Sequence, residues 1–276
     1  MLATRIATAL VVVPLAVLGM LYLPTFAITL VFSVLMLLGA WEWAGLLRLR
    51  DTGHVAMVLA TAALIFVFAL IRSQWWLVAV DNLLIGAACI WWLIAIGWIV
   101  RYPNGWATVM GRIDVGVATG LLTLVAAVAA VTYLHQSDQG ALLLLAFFFL
   151  IWAADTGAYI AGRTLGRHKL APAVSPGKTR EGAIGGIVAA MVFAGAGAWV
   201  LGYGGERLVG FVVLGAWVAI ISIVGDLTIS MFKRHAGIKD SGTLFPGHGG
   251  VLDRLDSVLA AAPWFVAGLH WLPSTL

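Results

Sequence analysis

Apolar residues in this chain are gathered into runs that approach the thickness of a lipid bilayer, and short polar or glycine-rich breaks separate them. An α-helix rises about 1.5 Å per residue, so roughly 20 apolar residues cross the hydrocarbon core. We therefore expect an all-α, polytopic helical bundle that forms one integral membrane domain. The pattern predicts about nine transmembrane helices, at residues 6–23, 25–47, 55–71, 77–100, 116–135, 141–162, 183–203, 208–230 and 257–272.

The composition agrees with a membrane protein. Only 10% of the residues are charged, 62% are hydrophobic and the mean hydropathy is +1.04, whereas about 25% of an average soluble domain is charged. The net charge is +4, but the chain has no soluble basic face that could hold nucleic acid. No nucleic-acid partner is therefore expected. We interpret the first run as a retained helix rather than a signal peptide, because no polar mature domain follows it.

The basic residues predict the orientation of the bundle. If the N-terminus is cytoplasmic, every Lys and Arg except Arg72 and Arg207 falls on the cytoplasmic side. Such an excess is typical of cytoplasmic loops. We expect the N-terminus in the cytoplasm.

Several kinds of chemistry are excluded by residue type. The single cysteine, Cys89, lies within a predicted helix, so neither a disulfide nor a cysteine metal site forms within one chain. The histidines are scattered and no HExxH motif occurs, which argues against zinc chemistry and against a nucleophile with a histidine base.

Two predicted loops on the cytoplasmic side, 163–182 and 231–256, are long and rich in charge. Positive charge alone would only orient the chain, but acids contribute little to orientation, and both loops also carry acids. We therefore divide the chain into N-terminal transmembrane helices, 1–140, and a C-terminal region, 141–276, that contains the chemistry.

Asp226 lies near the cytoplasmic end of the eighth predicted helix, with Ser230 at i+4 and Lys233 at i+7 on the same helical face. A carboxylate at this depth needs a partner. One interpretation is an ion pair with Lys233 or Arg234 that locks two helices. The other is a functional site.

Asp253 and Asp256 are spaced i, i+3 where the ninth predicted helix begins. The helix dipole favours an acid there, which accounts for one of them but poorly for two beside Asp226. Carboxylates gathered at one membrane face are the oxygen ligands that Mg²⁺ requires, with positions left for substrate phosphates.

The residues around these acids suit phosphate. In "PGHGG", residues 246–250, glycines before a helix N-terminus let backbone N–H groups approach an anion. His248 is either a phosphate donor or acid, or a structural turn residue. Cationic donors are supplied by Lys233, Arg234, Lys239 and Arg254.

The segment "SPGKTREG", residues 175–182, repeats this chemistry with Ser175, Lys178, Thr179 and Arg180. It is not a Walker A motif, because Pro172 stands where glycine is required and no β-strand is expected before it. Two further acids, Glu42 and Asp155, either line a polar cavity or brace the bundle.

Residues 230–256, "SMFKRHAGIKDSGTLFPGHGGVLDRLD", resemble the signature of the phosphatidate cytidylyltransferases: S-x-x-K-R, four residues, K-D, then P-G-H-G-G-x-x-D-R-x-D. "SPGKTREG" and "GDL" fit the same family, and the motif-level likeness covers 141–276. One departure is Ile229, where many bacterial members are expected to carry an acid.

The resemblance implies that phosphatidic acid and CTP react to give CDP-diacylglycerol and pyrophosphate, with Mg²⁺, alone or together with a second cation. It implies a bacterial-type inner membrane, an active site facing the cytoplasm and a homodimer. Metal would be held by Asp226 and Asp253, with Asp240 and Asp256 as further or supporting ligands. The expected catalytic residues are Asp226, Lys233, Arg234, Asp253, Arg254 and Asp256. The expected substrate-binding residues are Ser175, Lys178, Thr179, Arg180, Ser230, Lys239, Asp240, His248, Gly249 and Gly250.

Three other functions are alternatives to this one. A CTP-dependent lipid kinase would use similar residues but transfer the γ-phosphate. An ion-coupled transporter would also carry intramembrane acids, but here the acids lie at one edge and no inverted repeat is evident. A lipid scaffold without turnover would leave the carboxylates and both phosphate-suited loops unexplained.

Overall fold

The computed structural model describes residues 2–73, 77–104, 111–244 and 249–272. Within these ranges the chain forms nine helices and one two-stranded sheet. The elements are α1 (Leu2–Tyr22), α2 (Thr25–Leu46), α3 (Asp51–Ser73), α4 (Leu77–Arg101), α5 (Ile113–Gln136), α6 (Gly140–Thr164), β1 (Lys169–Ala171), β2 (Ser175–Thr179), α7 (Arg180–Val200), α8 (Gly205–Ala236) and α9 (Leu252–Leu269).

The predicted all-helical, polytopic architecture is confirmed. Seven helices of the described chain, α2 to α8, are long and apolar enough to cross a membrane. α1 contains a shorter apolar stretch, Val13–Tyr22. α9 has 18 residues, and its first turns carry Asp253, Arg254 and Asp256.

Helices in the C-terminal region extend further than the hydrophobic pattern predicts. α8 continues to Ala236 and α9 begins at Leu252, so the predicted loop 231–256 shortens to 237–251. Gly237 caps the C-terminus of α8, and its φ of 73° lies in the left-handed region that favours glycine after a helix. Polar residues at both ends therefore belong to helices, which fixes the directions of their side chains.

The predicted loop 163–182 contains an antiparallel hairpin that the sequence did not reveal. Lys169 pairs with Thr179 and Ala171 with Ser175. The expectation that no strand occurs near "GKT" is therefore wrong. The strands are too short, and too rich in proline and glycine, to show a two-residue alternation. A P-loop is still excluded, because β2 contains "GKT" itself.

Close contacts between consecutive helices shape the C-terminal region. A Cβ at Gly157 on α6 would lie 2.5 Å from the Cβ of Ala189 on α7. A Cβ at Gly225 on α8 would meet the backbone carbonyl oxygen of Asp256 on α9. Because glycine has no side chain, α6 approaches α7 closely at Gly157 and α8 approaches α9 closely at Gly225. The second contact brings Asp226 beside Asp256.

The connections between helices gather alternately at two ends of the bundle. At one end, Arg48 donates from its Nη2 to the carbonyl of His235 over 2.7 Å. At the other end, Arg72 Nη2 donates to Gln136 Oε1 over 2.6 Å. Tyr133 and His270 form a second contact there, 2.9 Å between Oη and Nε2. Successive helices therefore run in opposite directions.

Candidate active site

A cavity of about 390 Å³ lies between α6, the hairpin, α7 and α8, with α9 contributing Ser257. One part of its wall is apolar, built from alanines, glycines, Leu170 and Ile223. The polar lining consists of Asp155, Tyr159, Arg163, Lys178, Thr179, Ser222, Asp226 and Ser257. Polar and apolar walls side by side suit a ligand with a charged head and a hydrocarbon tail.

Asp226 is the centre of the polar wall. Its Oδ1 accepts a hydrogen bond from Ser230 Oγ over 3.2 Å, as the i, i+4 spacing predicts. Its Oδ2 pairs with Lys178 Nζ at 2.6 Å. The Lys178 and Asp226 side chains are 28% and 31% exposed, so a substrate can reach both. The hairpin therefore delivers a cation to the carboxylate on α8.

Two more carboxylates, Asp155 on α6 and Asp256 on α9, interact electrostatically with Asp226. Asp155 lines the cavity, which settles the choice between lining and bracing that the sequence left open. Asp256 Oδ1 accepts from the backbone N–H of Ser257. Three acids at one end of the bundle repel one another, so the site attracts cations.

Asp253 belongs to a more enclosed ion pair beside this site. Its Oδ1 lies 2.7 Å from Lys233 Nζ, and the Lys233 and Asp253 side chains are 12% and 5% exposed. Its Oδ2 accepts from the backbone N–H groups of Ser241 at 2.7 Å and Gly250 at 3.0 Å. Lys233, placed by the sequence on the face of Asp226, thus pairs across helices with Asp253.

The position of Gly249 can be occupied only by a residue without a side chain that adopts a positive φ. Its φ is 82°, and a Cβ would lie 2.5 Å from Asp253 Oδ2. The backbone N–H of Gly250 is donated to Asp253 Oδ2. His248, the remaining polar residue of "PGHGG", lies outside the described residues.

The hairpin is tied to its neighbours by three contacts. Thr179 is the N-cap of α7 and accepts from Gly182 N–H over 3.1 Å. The backbone N–H of Arg180 donates to the carbonyl of His168 over 2.8 Å. Arg234 Nε donates to the carbonyl of Val174 over 3.0 Å, so this predicted catalytic residue also holds the turn between β1 and β2.

The other predicted site residues lie around the cavity rather than in its wall. Ser175 begins β2, opposite Ala171. Lys239, Asp240 and Arg254 are exposed and are absent from the cavity lining.

Sequence reasoning missed four polar residues of the cavity wall, Tyr159, Arg163, Ser222 and Ser257. Tyr159 and Arg163 line the cavity, and Arg163 Nη1 donates to Tyr159 Oη over 2.6 Å. They follow Asp155 at i+4 and i+8, so helical periodicity from that acid would have found them.

Oxygen chemistry at the site suits a hard cation such as Mg²⁺, which proteins usually bind through one or two carboxylates plus substrate phosphates. Asp226, its neighbours Asp155 and Asp256, and Asp253 beside the site offer such oxygens. No preformed group of three or more acidic, histidine or cysteine ligands occurs in the described parts of the chain. The residues therefore fit a cation that is completed by substrate better than a closed protein cage.

Comparison with known proteins places these residues in a family context. The sequence model of the cytidylyltransferase family matches residues 3–272. A phosphatidate cytidylyltransferase from Haemophilus influenzae is 36% identical, over 96% of this chain and 97% of its own length. One from Pseudomonas aeruginosa is 40% identical, over 98% and 97%. One from Synechocystis is 48% identical over 45% of this chain and 42% of its own.

Proposed function

The chain belongs to the cytidylyltransferase family, and we propose that it transfers CMP from CTP to phosphatidic acid, giving CDP-diacylglycerol and pyrophosphate for phospholipid synthesis. Both relatives matched along nearly their full length carry that activity in their names. The observation that carries the proposal is the cavity in which Lys178 faces Asp226 beside an apolar wall.

The reaction needs no protein nucleophile. A phosphate oxygen of phosphatidic acid attacks the α-phosphorus of CTP and forms a new P–O bond. The bond from the α-phosphorus to the bridging oxygen of the β-phosphate breaks, and pyrophosphate leaves with the electron pair. Catalysis then consists of positioning and of stabilising charge on the phosphates.

The cations around the cavity have distinct places in this proposal. Lys178 and Arg163, both in the cavity wall, would contact phosphate oxygens there. Lys233, Arg234 and Arg254 would hold lipid or triphosphate oxygens from the α8 and α9 side. The hairpin, with Ser175, Thr179 and Arg180, would close over the nucleotide, and Ser230 supports Asp226.

We propose that the reaction depends on Mg²⁺, which would neutralise charge on the substrate phosphates when bound. Asp226 and Asp253 would hold it, with Asp240 and Asp256 in support. Each of the first two pairs with a lysine ammonium group, so each carboxylate already has a cation as its partner, and Mg²⁺ would share or take that place. Lys239 would keep its predicted role beside the substrate. Gly249 and Gly250 would instead shape the loop, because Gly250 already donates its N–H to Asp253 and Gly249 packs against the same carboxylate.

The remaining parts of the proposal concern the membrane. All nine helices, including α1 and α9, would cross a bacterial-type inner membrane with the N-terminus in the cytoplasm. The cavity would then open toward cytoplasmic CTP, and the protein would act as a homodimer.

A label-transfer assay tests the activity. Purified protein in detergent micelles receives phosphatidic acid, Mg²⁺ and CTP labelled on either the α- or the γ-phosphate. We expect the α-label in the lipid product and the γ-label in pyrophosphate, with loss of both on adding a chelator. Transfer of the γ-label into lipid would instead identify a lipid kinase, and transfer that survives chelation would remove the metal requirement.

A further inference from the structure

Glu42, near the end of α2, binds the N-terminus of α9 from another helix. The residue is 8% exposed. Its Oε1 accepts from the N–H of Val251 over 2.8 Å, and its Oε2 accepts from the N–H of Leu252 over 2.9 Å. No side chain of α9 itself caps these groups. Free N–H groups and the positive end of the dipole favour a carboxylate at this position.

The same carboxylate also holds the loop between α8 and α9. Ser241 Oγ donates to Glu42 Oε2 over 2.7 Å, while the backbone N–H of Ser241 donates to Asp253 Oδ2 over 2.7 Å. Ser241 thus links Glu42 to Asp253, and Asp253 pairs with Lys233. A continuous chain of polar contacts runs from α2 to two residues of the proposed site.

Two glycines make room for Glu42. A Cβ at Gly242 would lie 2.5 Å from Glu42 Oε1, and a Cβ at Gly250 would meet both carboxylate oxygens. The side-chain-free faces of these loop residues therefore point at Glu42. At least one glycine of "PGHGG" is explained by this contact.

Arg48, just beyond α2, makes the complementary contact at the other end of the loop. Its Nη2 donates to the carbonyl of His235, in the last turn of α8, where the dipole favours a cation. The end of α2 therefore supplies a carboxylate, Glu42, to the start of α9 and a cation, Arg48, to the end of α8.

We propose that Glu42, in the N-terminal half of the chain, is a positioning residue for catalysis. It fixes the start of α9 directly, and through Ser241 it fixes the ion pair between Asp253 and Lys233. This rests on the proposed function, since it assumes that those two residues serve the reaction. Glu42 lies outside the cavity lining and acts only through others.

The test compares Glu42→Gln with Asp81→Asn. Asp81 is also a buried carboxylate, 3% exposed, and it pairs with Arg72 at the opposite end of the bundle. Both variants lose a buried charge, but only Glu42→Gln loosens the α8–α9 loop. We expect kcat to fall on the order of 100-fold in Glu42→Gln, as for a small misplacement of reacting groups, with little change in KM for CTP. Asp81→Asn should keep its kcat.

Hydrogen exchange gives a readout that does not need substrate. Peptides covering 237–252 should exchange faster in Glu42→Gln than in wild type, and should be unchanged in Asp81→Asn. If Glu42→Gln does not fold, Ser241→Ala decides, because it keeps the cap on α9 and removes only the link to the loop. A lowered kcat with unchanged KM supports the proposal.

The positioning role would be overturned if Glu42→Gln kept the wild-type kcat and the wild-type exchange rate. Where Glu42→Gln does not fold, a wild-type kcat in Ser241→Ala would overturn it. An equal loss of kcat in Asp81→Asn would reduce Glu42 to a general structural acid. An inactive wild-type protein in the label assay would overturn the proposed function instead, while the exchange result would still report whether Glu42 holds the loop.

Discussion

The charges of the candidate site are arranged as two ion pairs of different accessibility. Lys178 and Asp226 lie in the cavity wall and are partly exposed, whereas Lys233 and Asp253 are nearly closed off. An exposed pair can exchange its partner for a substrate phosphate or a cation at little cost, because solvent already screens it. We therefore expect a substrate to meet the Asp226 pair first.

Replacing Asp226 by Asn keeps the size of the side chain and removes its charge. If the carboxylate stabilises charge on the phosphates, transfer of the α-label should fall by roughly 10²–10³-fold, the range for losing one such electrostatic contact. Asp253→Asn should be impaired similarly. The measurement is α-label transfer across a Mg²⁺ titration. Asp138→Asn, an exposed acid in the α5–α6 turn, serves as the control. Wild-type turnover and an unaltered Mg²⁺ response in Asp226→Asn would remove it from the metal site.

At the residue scale, the sequence predicts contacts between residues that are close along the chain and does not predict those between distant residues. The contact of Ser230 with Asp226 follows from helical spacing, and the structure contains it. The pairing of Lys233 with Asp253 does not follow, because it depends on how α8 packs against α9. Glu42 shows the same limit, since its partners lie about 200 residues away.

At the scale of elements, small residues decide how the site assembles. Gly225 precedes Asp226 on α8 and lies against the backbone of α9 at Asp256. Hydrophobic periodicity predicts both helices but does not reveal this contact, and it misses the hairpin that carries Lys178. Short polar elements, which bring the chemistry, give the weakest periodic signal.

Gly225→Ala should push α8 away from α9. The added Cβ would lie 2.7 Å from that of Ala260, and overpacking of this kind costs about 1–3 kcal/mol. We expect a lower Tm in detergent and reduced transfer, because Asp226 and Asp256 move apart. Gly86→Ala on α4 is the matched control, since nothing lies within 4 Å of its Cβ position and alanine favours a helix. Equal Tm values for the two variants would show that the α8–α9 contact tolerates a methyl group.

At the scale of the whole molecule, both halves of the chain contribute to one polar end. The acids and cations of α6 to α9 form the site, and Glu42 and Arg48 hold its loop from α2. The division at residue 140 therefore describes where the motifs lie and not an independent unit. The basic residues predict that this end faces the cytoplasm.

Single cysteines can fix the orientation and decide whether α9 crosses. The only native cysteine, Cys89, is buried, so Cys89→Ala gives an unlabelled background. Reporters are Asp51→Cys at the start of α3, Asp138→Cys between α5 and α6, and Trp271→Cys after α9, each at an exposed residue. In spheroplasts, an impermeant maleimide should label the second and third reporters, and the first only after permeabilisation. The reverse pattern at Asp51→Cys and Asp138→Cys would invert the bundle. Protection of Trp271→Cys alone would mean that α9 enters the membrane without crossing it.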